Sequence, residues 1–137
     1  MSTSAAGSAT GSATGSATGV RWLPSPQKHD YQAAEDYLSL IMSPRDATDC
    51  RDRLAKAAGL VHRKAKDILR ASQLALLGQD NKHLAEDLRK AAAGTPLSPI
   101  LLIRGHDGSP LIVADGYHRV CASYWADENT DIPCVLV

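Results

Sequence analysis

Phenylalanine is missing from this chain, and tryptophan and tyrosine together supply only 4% of its residues. Any core must therefore be filled by Leu, Ile, Val and Ala, which the 44% apolar content allows. Net charge is missing too: 15 Lys and Arg balance 15 Asp and Glu. A neutral chain has no overall field to attract a polyanion, so nucleic-acid binding is not expected without a local basic patch. The three cysteines, Cys50, Cys121 and Cys134, form an odd set with no Cys-x-x-Cys spacing. That pattern argues against a secreted disulfide framework and for reduced thiols in the cytoplasm. No apolar run approaches the roughly 18 to 20 residues that span a bilayer, so no membrane partner is expected.

Charge is also lacking over residues 1–20, where three Gly-Ser-Ala-Thr units begin at Gly7, Gly11 and Gly15. With nothing large to bury, this stretch is expected to be a disordered tail. It has neither the basic start nor the apolar centre of a signal peptide. Composition changes at Arg21, and Trp22-Leu-Pro-Ser-Pro26 reads as a stiff entry anchored by Trp22. Asp30 is placed to cap a helix with Ala34, Tyr37, Leu38 and Ile41 inward, and Ser43-Pro44 to end it. A second helix is expected from about Thr48 to Gly59, with Cys50, Leu54, Ala57 and Ala58 inward. Residues 21–60 thus read as an N-terminal helical extension. Two such short helices must rest on something larger.

From about residue 61 to 137 the pattern is that of an α+β domain, a small mixed β-sheet with packed helices. A short strand near 61–66 leads to a helical turn near 68–72 and a loop to Gln79. Asn81 caps a helix over 82–93 whose inward residues are Leu84, Leu88 and Ala91, and Gly94 stops it. Ile100-Leu-Leu-Ile103 has no polar residue, as expected of a strand covered on both faces. Gly105-His-Asp-Gly-Ser109 is a hairpin signal. It leads into Leu111 to Ala114, a strand that turns through Asp115-Gly116 into a helix over 117–127. After Asp127-Glu-Asn-Thr-Asp131 a last strand runs from Ile132 to Val137.

The strand–glycine–helix corner is where chemistry is expected. A helix N-terminus presents unpaired backbone N–H groups with the positive end of the dipole behind them, which suits an anion. His118 and Arg119 stand in the first turn, and an arginine can hold a phosphate with two parallel bonds. Asp115 has three readings: a ligand for Mg²⁺ against phosphates, a proton acceptor and so a catalytic residue, or a plain helix cap. His118 is either a phosphate donor or a structural histidine, and Arg119 either a ligand or half of an ion pair. Tyr117 could stack on a base, donate to phosphate, or serve as an apolar lid. Lys64, Lys66 and Arg70 form a positive group that either faces the phosphates or makes a solvated edge. His118, Cys121 and Cys134 lack the close ligand pairs of a zinc site, so buried inert thiols are the expectation.

Residues 61–137 resemble the fold shared by sulfiredoxin and the N-terminal domain of ParB partition proteins. The resemblance rests on Asp67-Ile-Leu-Arg-Ala-Ser72, on Pro99-Ile-Leu-Leu-Ile-Arg104, and on Asp115-Gly-Tyr-His-Arg119 followed by Ile132-Pro-Cys-Val135. Residues 21–60 are outside that common core, and the whole is similar to small bacterial proteins of this superfamily. The resemblance implies a nucleotide, ATP, ADP or CTP with Mg²⁺, held at Gly116, Tyr117, His118 and Arg119 with help from Asp115, Lys66 and Arg70. Where sulfiredoxin has its catalytic cysteine this chain has Tyr117, so the family's thiolate route is closed. ParB clamps carry a DNA-binding helix-turn-helix and a dimer domain beyond this fold, and neither follows before Val137. Similar Asp-Gly-His-His-Arg loops occur in small-molecule kinases of the fold, which makes phosphoryl transfer or nucleotide hydrolysis the implied reaction. The alternatives are a non-catalytic module, whose helical pair at 30–60 docks a protein partner beside a vestigial phosphate cradle, and a ParB-like nuclease.

Overall fold

The computed structural model describes residues 19–137 and the backbone of Thr14–Gly15. The disorder expected over residues 1–20 falls, for the rest of that stretch, outside the described residues. At its edge Thr14–Gly15 (β1) pairs antiparallel with Arg21–Trp22 (β2), and Val20 is buried. The reason is apolar, because Val20 and Trp22 enter the same core.

The chain then runs through α1 (Lys28–Leu38), α2 (Pro44–Lys56), β3 (Val61–Lys64), α3 (Ala65–Ser72), α4 (Lys82–Ala92), β4 (Ile100–Ile103), β5 (Ile112–Asp115), α5 (Tyr117–Ala126) and β6 (Asp131–Leu136). The last four strands form one sheet in the order β3-β6-β4-β5, in which β4 and β6 are parallel and the other neighbours antiparallel. The fold is α+β with a small mixed sheet.

Both faces of that sheet are covered. Side chains alternate across a strand, so Ile100 and Leu102 of β4 join one apolar cluster while Leu101 and Ile103 join the other. The first cluster is closed by Trp22, by Ile68 and Leu69 of α3, by Leu84 of α4, and by Val120 and Cys121 of α5. The second is closed by Ala34 and Leu38 of α1 and Ala47 and Leu54 of α2. All four residues of β4 are buried, as its unbroken aliphatic run requires. At the edge, all four residues of β3 are exposed. Its His-Arg-Lys sequence keeps that open strand charged.

The N-terminal helices start and stop elsewhere than the sequence suggests. Asp30 is not the cap of α1. Gln27 is, and Asp30 stands three residues into the helix, accepting from the Gln27 backbone N at 2.8 Å in a capping box. Ser43-Pro44 does not end a helix but begins one, with the Ser43 Oγ accepting from the Asp46 backbone N at 3.1 Å and Pro44 in the first turn. Such a dipeptide suits either purpose, since proline is tolerated where the first N–H has no helical partner. Shifting the starts rotates the faces. Tyr37 and Ile41 are exposed, and Ala47 is buried instead of Ala58. The α4 cap holds as expected, the Asn81 Oδ1 accepting from the Leu84 backbone N at 3.1 Å.

Candidate functional site

β5 ends at Asp115, and the backbone turns into α5 through Gly116 at φ 108° and ψ 18°. A side chain is strained at that φ. A Cβ there would also run into the Ile100 Cδ1 and come within 2.9 Å of the Arg119 Nη2. Glycine is thus fixed by torsion and by space together. The N-cap of α5 is Gly116, which supplies no side-chain hydrogen bond, and Asp115, for which capping was one reading, does not cap it. Its Oδ2 instead accepts from the Arg119 Nη2 at 3.0 Å, one helical turn on.

This corner forms one wall of a cleft of about 340 Å³. Asp115, Gly116, His118 and Arg119 line that wall, and the facing wall is α4, through His83, Glu86, Asp87 and Lys90. Those four stand at i, i+3, i+4 and i+7, which puts them on a single helix face. The rings of His83 and His118 meet edge to face, 5.1 Å between centroids. Arg119 also donates to the Pro99 carbonyl at 3.3 Å, while its Nε is buried without a hydrogen-bond partner.

Burial pushes the Asp115 carboxyl above the usual range; Arg119 opposes the shift and the nearby Asp30 carboxyl adds to it. Asp87 is raised as well, again by burial first, against the charges of Arg119, Lys90 and His118 and with that of Glu86. Cys134 and Cys121 are buried in the core, and burial pushes the Cys134 thiol up to about 12. A thiol so held stays protonated at neutral pH and is a poor nucleophile.

The structure assembles part of the expected site. Gly116, His118 and Arg119 share the cleft with Asp115. Tyr117 does not line it: its hydroxyl donates to the Ala75 carbonyl and ties the loop after α3 to α5. Lys66 and Arg70 are not brought there either. They lie on the solvent face of α3, opposite the buried Ala65, Ile68 and Leu69, and Arg70 faces Asp67 at 3.6 Å. The residues that sequence reasoning missed are His83, Glu86, Asp87 and Lys90. Opposite Leu84, Leu88 and Ala91 they read as an ordinary solvated helix face, and only the packing of α4 against α5 makes them a wall.

Among the described residues no group of three or more His, Cys, Asp or Glu side chains is placed to hold a metal ion. Asp115 is engaged by Arg119, so it does not offer a free carboxylate to Mg²⁺. The carboxylates left to a Mg²⁺ that arrives on phosphate oxygens are Glu86 and Asp87, and one or two suffice for such an ion. Among the described residues no helix is long and apolar enough to cross a membrane. The sequence matches no family model, and neither the curated proteins nor the solved structures provide a match.

Proposed function

We propose that the cleft between α4 and the β5–α5 corner binds the phosphate of a nucleotide or phosphorylated small molecule, in a domain of the ParB/sulfiredoxin superfold. One observation carries this reading: a helix N-terminus whose cap, Gly116, supplies no side-chain hydrogen bond lies on the same cleft that Arg119 and Lys90 line. Backbone N–H groups, a helix dipole and two cationic side chains form the usual equipment for a phosphate. The order of elements supports the superfold, with the aliphatic β4 after Pro99, the Gly116 corner, and β6 carrying Ile132-Pro-Cys-Val135. Phosphoryl transfer or nucleotide hydrolysis is the reaction class that suits such a site, with Asp115 handling the proton and charge placement doing the rest.

Isothermal titration with ATP, ADP and CTP in the presence of Mg²⁺ tests the binding. Heat is expected for the wild-type chain. Lys90→Ala, an exposed change, should weaken affinity about tenfold, the worth of one charged contact. Arg119→Ala, with its fold checked by circular dichroism, should abolish binding. Absence of heat with every nucleotide and with inorganic phosphate overturns the proposal.

A separate observation favours the partner-docking reading. Tyr37 and Leu40 are 43% and 81% exposed, and Ile41 and Met42 line a groove of about 820 Å³ with Leu111 and Ile112. Sedimentation velocity over a concentration series, with Ile41→Asp as control, asks whether a second copy fills it.

A further inference from the structure

Leu111, just before β5, and Gly116, just after it, mark opposite ends of the sheet. At the Leu111 end, on the face that α3 covers, lies a second cavity of about 270 Å³. Strand geometry decides which side chains meet there. Ile132, Cys134 and Leu136 alternate onto one face of β6, and Arg63 stands opposite Ile132 in the register, so it projects on the same side. The β4–β6 ladder continues past the end of β4. The Val137 N–H donates to the Leu102 carbonyl at 3.2 Å and the Arg104 N–H to the Val137 carbonyl at 2.8 Å. Arg104 therefore keeps the alternation of Ile100 and Leu102 and emerges on that face as well. The Leu111 N–H donates to the Ala71 carbonyl at 3.0 Å, which holds the β5 side of the cavity against α3.

The floor that results is aliphatic: Ile68 and Leu102 are buried, and Leu111 and Leu136 half-buried. The rim carries Arg63 and Arg104. The Arg63 Nη1 donates to the His62 carbonyl at 2.8 Å, and among the described residues neither guanidinium has a carboxylate partner. Asp67 lines the same cavity but faces Arg70 at 3.6 Å. Two like charges thus border one small apolar opening without a counter-charge of their own. A guanidinium matches a carboxylate with two parallel bonds, and buried methylenes supply affinity to the chain behind it. Drug-sized ligands occupy roughly 300–1,000 Å³, so the occupant is smaller than those.

We propose that this cavity binds a short aliphatic carboxylic acid as its anion, with the carboxylate on Arg63 and Arg104 and the chain on Ile68, Leu102, Leu111 and Leu136. It shares no lining residue with the cleft at Gly116, so it stands or falls apart from the phosphate reading.

The test is a methyl ¹H–¹³C NMR titration of the full chain with hexanoate. Arg104 and Leu111 also border the groove beside Ile41, so the protein is kept at a concentration where sedimentation shows a single species. The methyls of Ile68, Leu102, Leu111 and Leu136 should shift together and saturate. Affinity should rise about fourfold per methylene from butyrate to hexanoate. Arg63→Gln and Arg104→Gln, both exposed changes, should each weaken hexanoate about tenfold while leaving the weak binding of hexanol unchanged. Ala71→Leu, which puts a larger side chain into the cavity, should abolish the shifts. The proposal is overturned if no carboxylate gives saturable shifts, if hexylammonium or hexanol binds as tightly as hexanoate, or if the double Gln variant binds as the wild type does. Binding of N-acetyl-leucine in place of hexanoate would assign the site to the carboxyl end of a peptide and would equally overturn a free acid.

Discussion

The two faces of the sheet are packed with different materials. Against α3, α4 and α5 the buried residues are mostly large, among them Trp22, Ile68, Leu84, Ile100, Leu102 and Ile132. Against α1 and α2 three of the eight are alanines, Ala34, Ala47 and Ala114. Yet the leaner face buries Asp30, while the cleft is built by α4 and the β5–α5 corner. The difference teaches that apolar mass and polar function divide between the layers. An N-terminal layer that adds little to the apolar core still carries a buried carboxyl, Asp30, whose charge adds to the raised Asp115 at the cleft.

Neighbouring leucines of β4 give the strongest way to break that comparison. Leu102 points into the richer face and Leu101 into the leaner one, at 1% and 0% exposure. Truncating either to alanine should cost about 2–5 kcal/mol, from lost transfer energy and the cavity left behind. Leu102→Ala should be the larger loss, because large side chains held by three helices relax into a void less readily than an alanine-lined pair. Urea denaturation checks this. Both variants should still unfold in one cooperative transition; a separate early transition in Leu101→Ala would show that α1 and α2 form a detachable layer.

Gly116→Ala tests the corner where the layers meet, and its expected cost is smaller, about 1–3 kcal/mol for a forced left-handed residue. The new methyl group must displace Ile100 on the rich face and Arg119 in the cleft. The same variant should therefore lose nucleotide heat as well as stability. Full retention of both would mean that the corner yields easily, and would weaken its assignment as a rigid cradle.

How much of this was legible in the sequence follows from the range of the interactions. The aliphatic β4, the Asn81 cap, the hairpin and the Gly116 turn are written in local residue chemistry, and each stands where expected. The limits of α1 and α2 were misread because Ser43-Pro44 is a valid stop and a valid start; which applies depends on what the next thirteen residues bury. Asp30 looked like a cap because aspartate is a favoured capping residue, and its place three residues into the helix depends on the chain starting the helix earlier, at Gln27. Lys66 and Arg70 were drawn to the site by analogy of position. The apolar side of α3 faces inward and leaves them in solvent. The α4 wall was invisible for the same reason in reverse, as polar residues at helical spacing signify solvent until another helix closes over them.

The smallest expected effect is in the pH dependence of stability, and its sign is fixed by the two raised carboxyls. Asp115 and Asp87 are both held above the ordinary value of 3.8 by burial. Between that value and their raised values the native chain keeps protons that the unfolded chain has released. Their contribution to stability is therefore greatest at or below about pH 3.8, falls as pH rises through the raised values, and is flat above them. Paired surface carboxylates give the opposite slope, so the informative quantity is the difference between variants rather than the profile of one chain. Asp115→Asn should remove more of the falling limb than Asp87→Asn, since only Asp115 has a second buried carboxyl as neighbour. Asp30→Asn should lessen the same limb by a smaller amount, because it removes the neighbouring charge that adds to the Asp115 shift. Urea midpoints measured across that window decide it. If Asp30→Asn matches the wild type while Asp115→Asn does not, the leaner face takes no part in the proton balance, and the two layers meet at the cleft through packing alone.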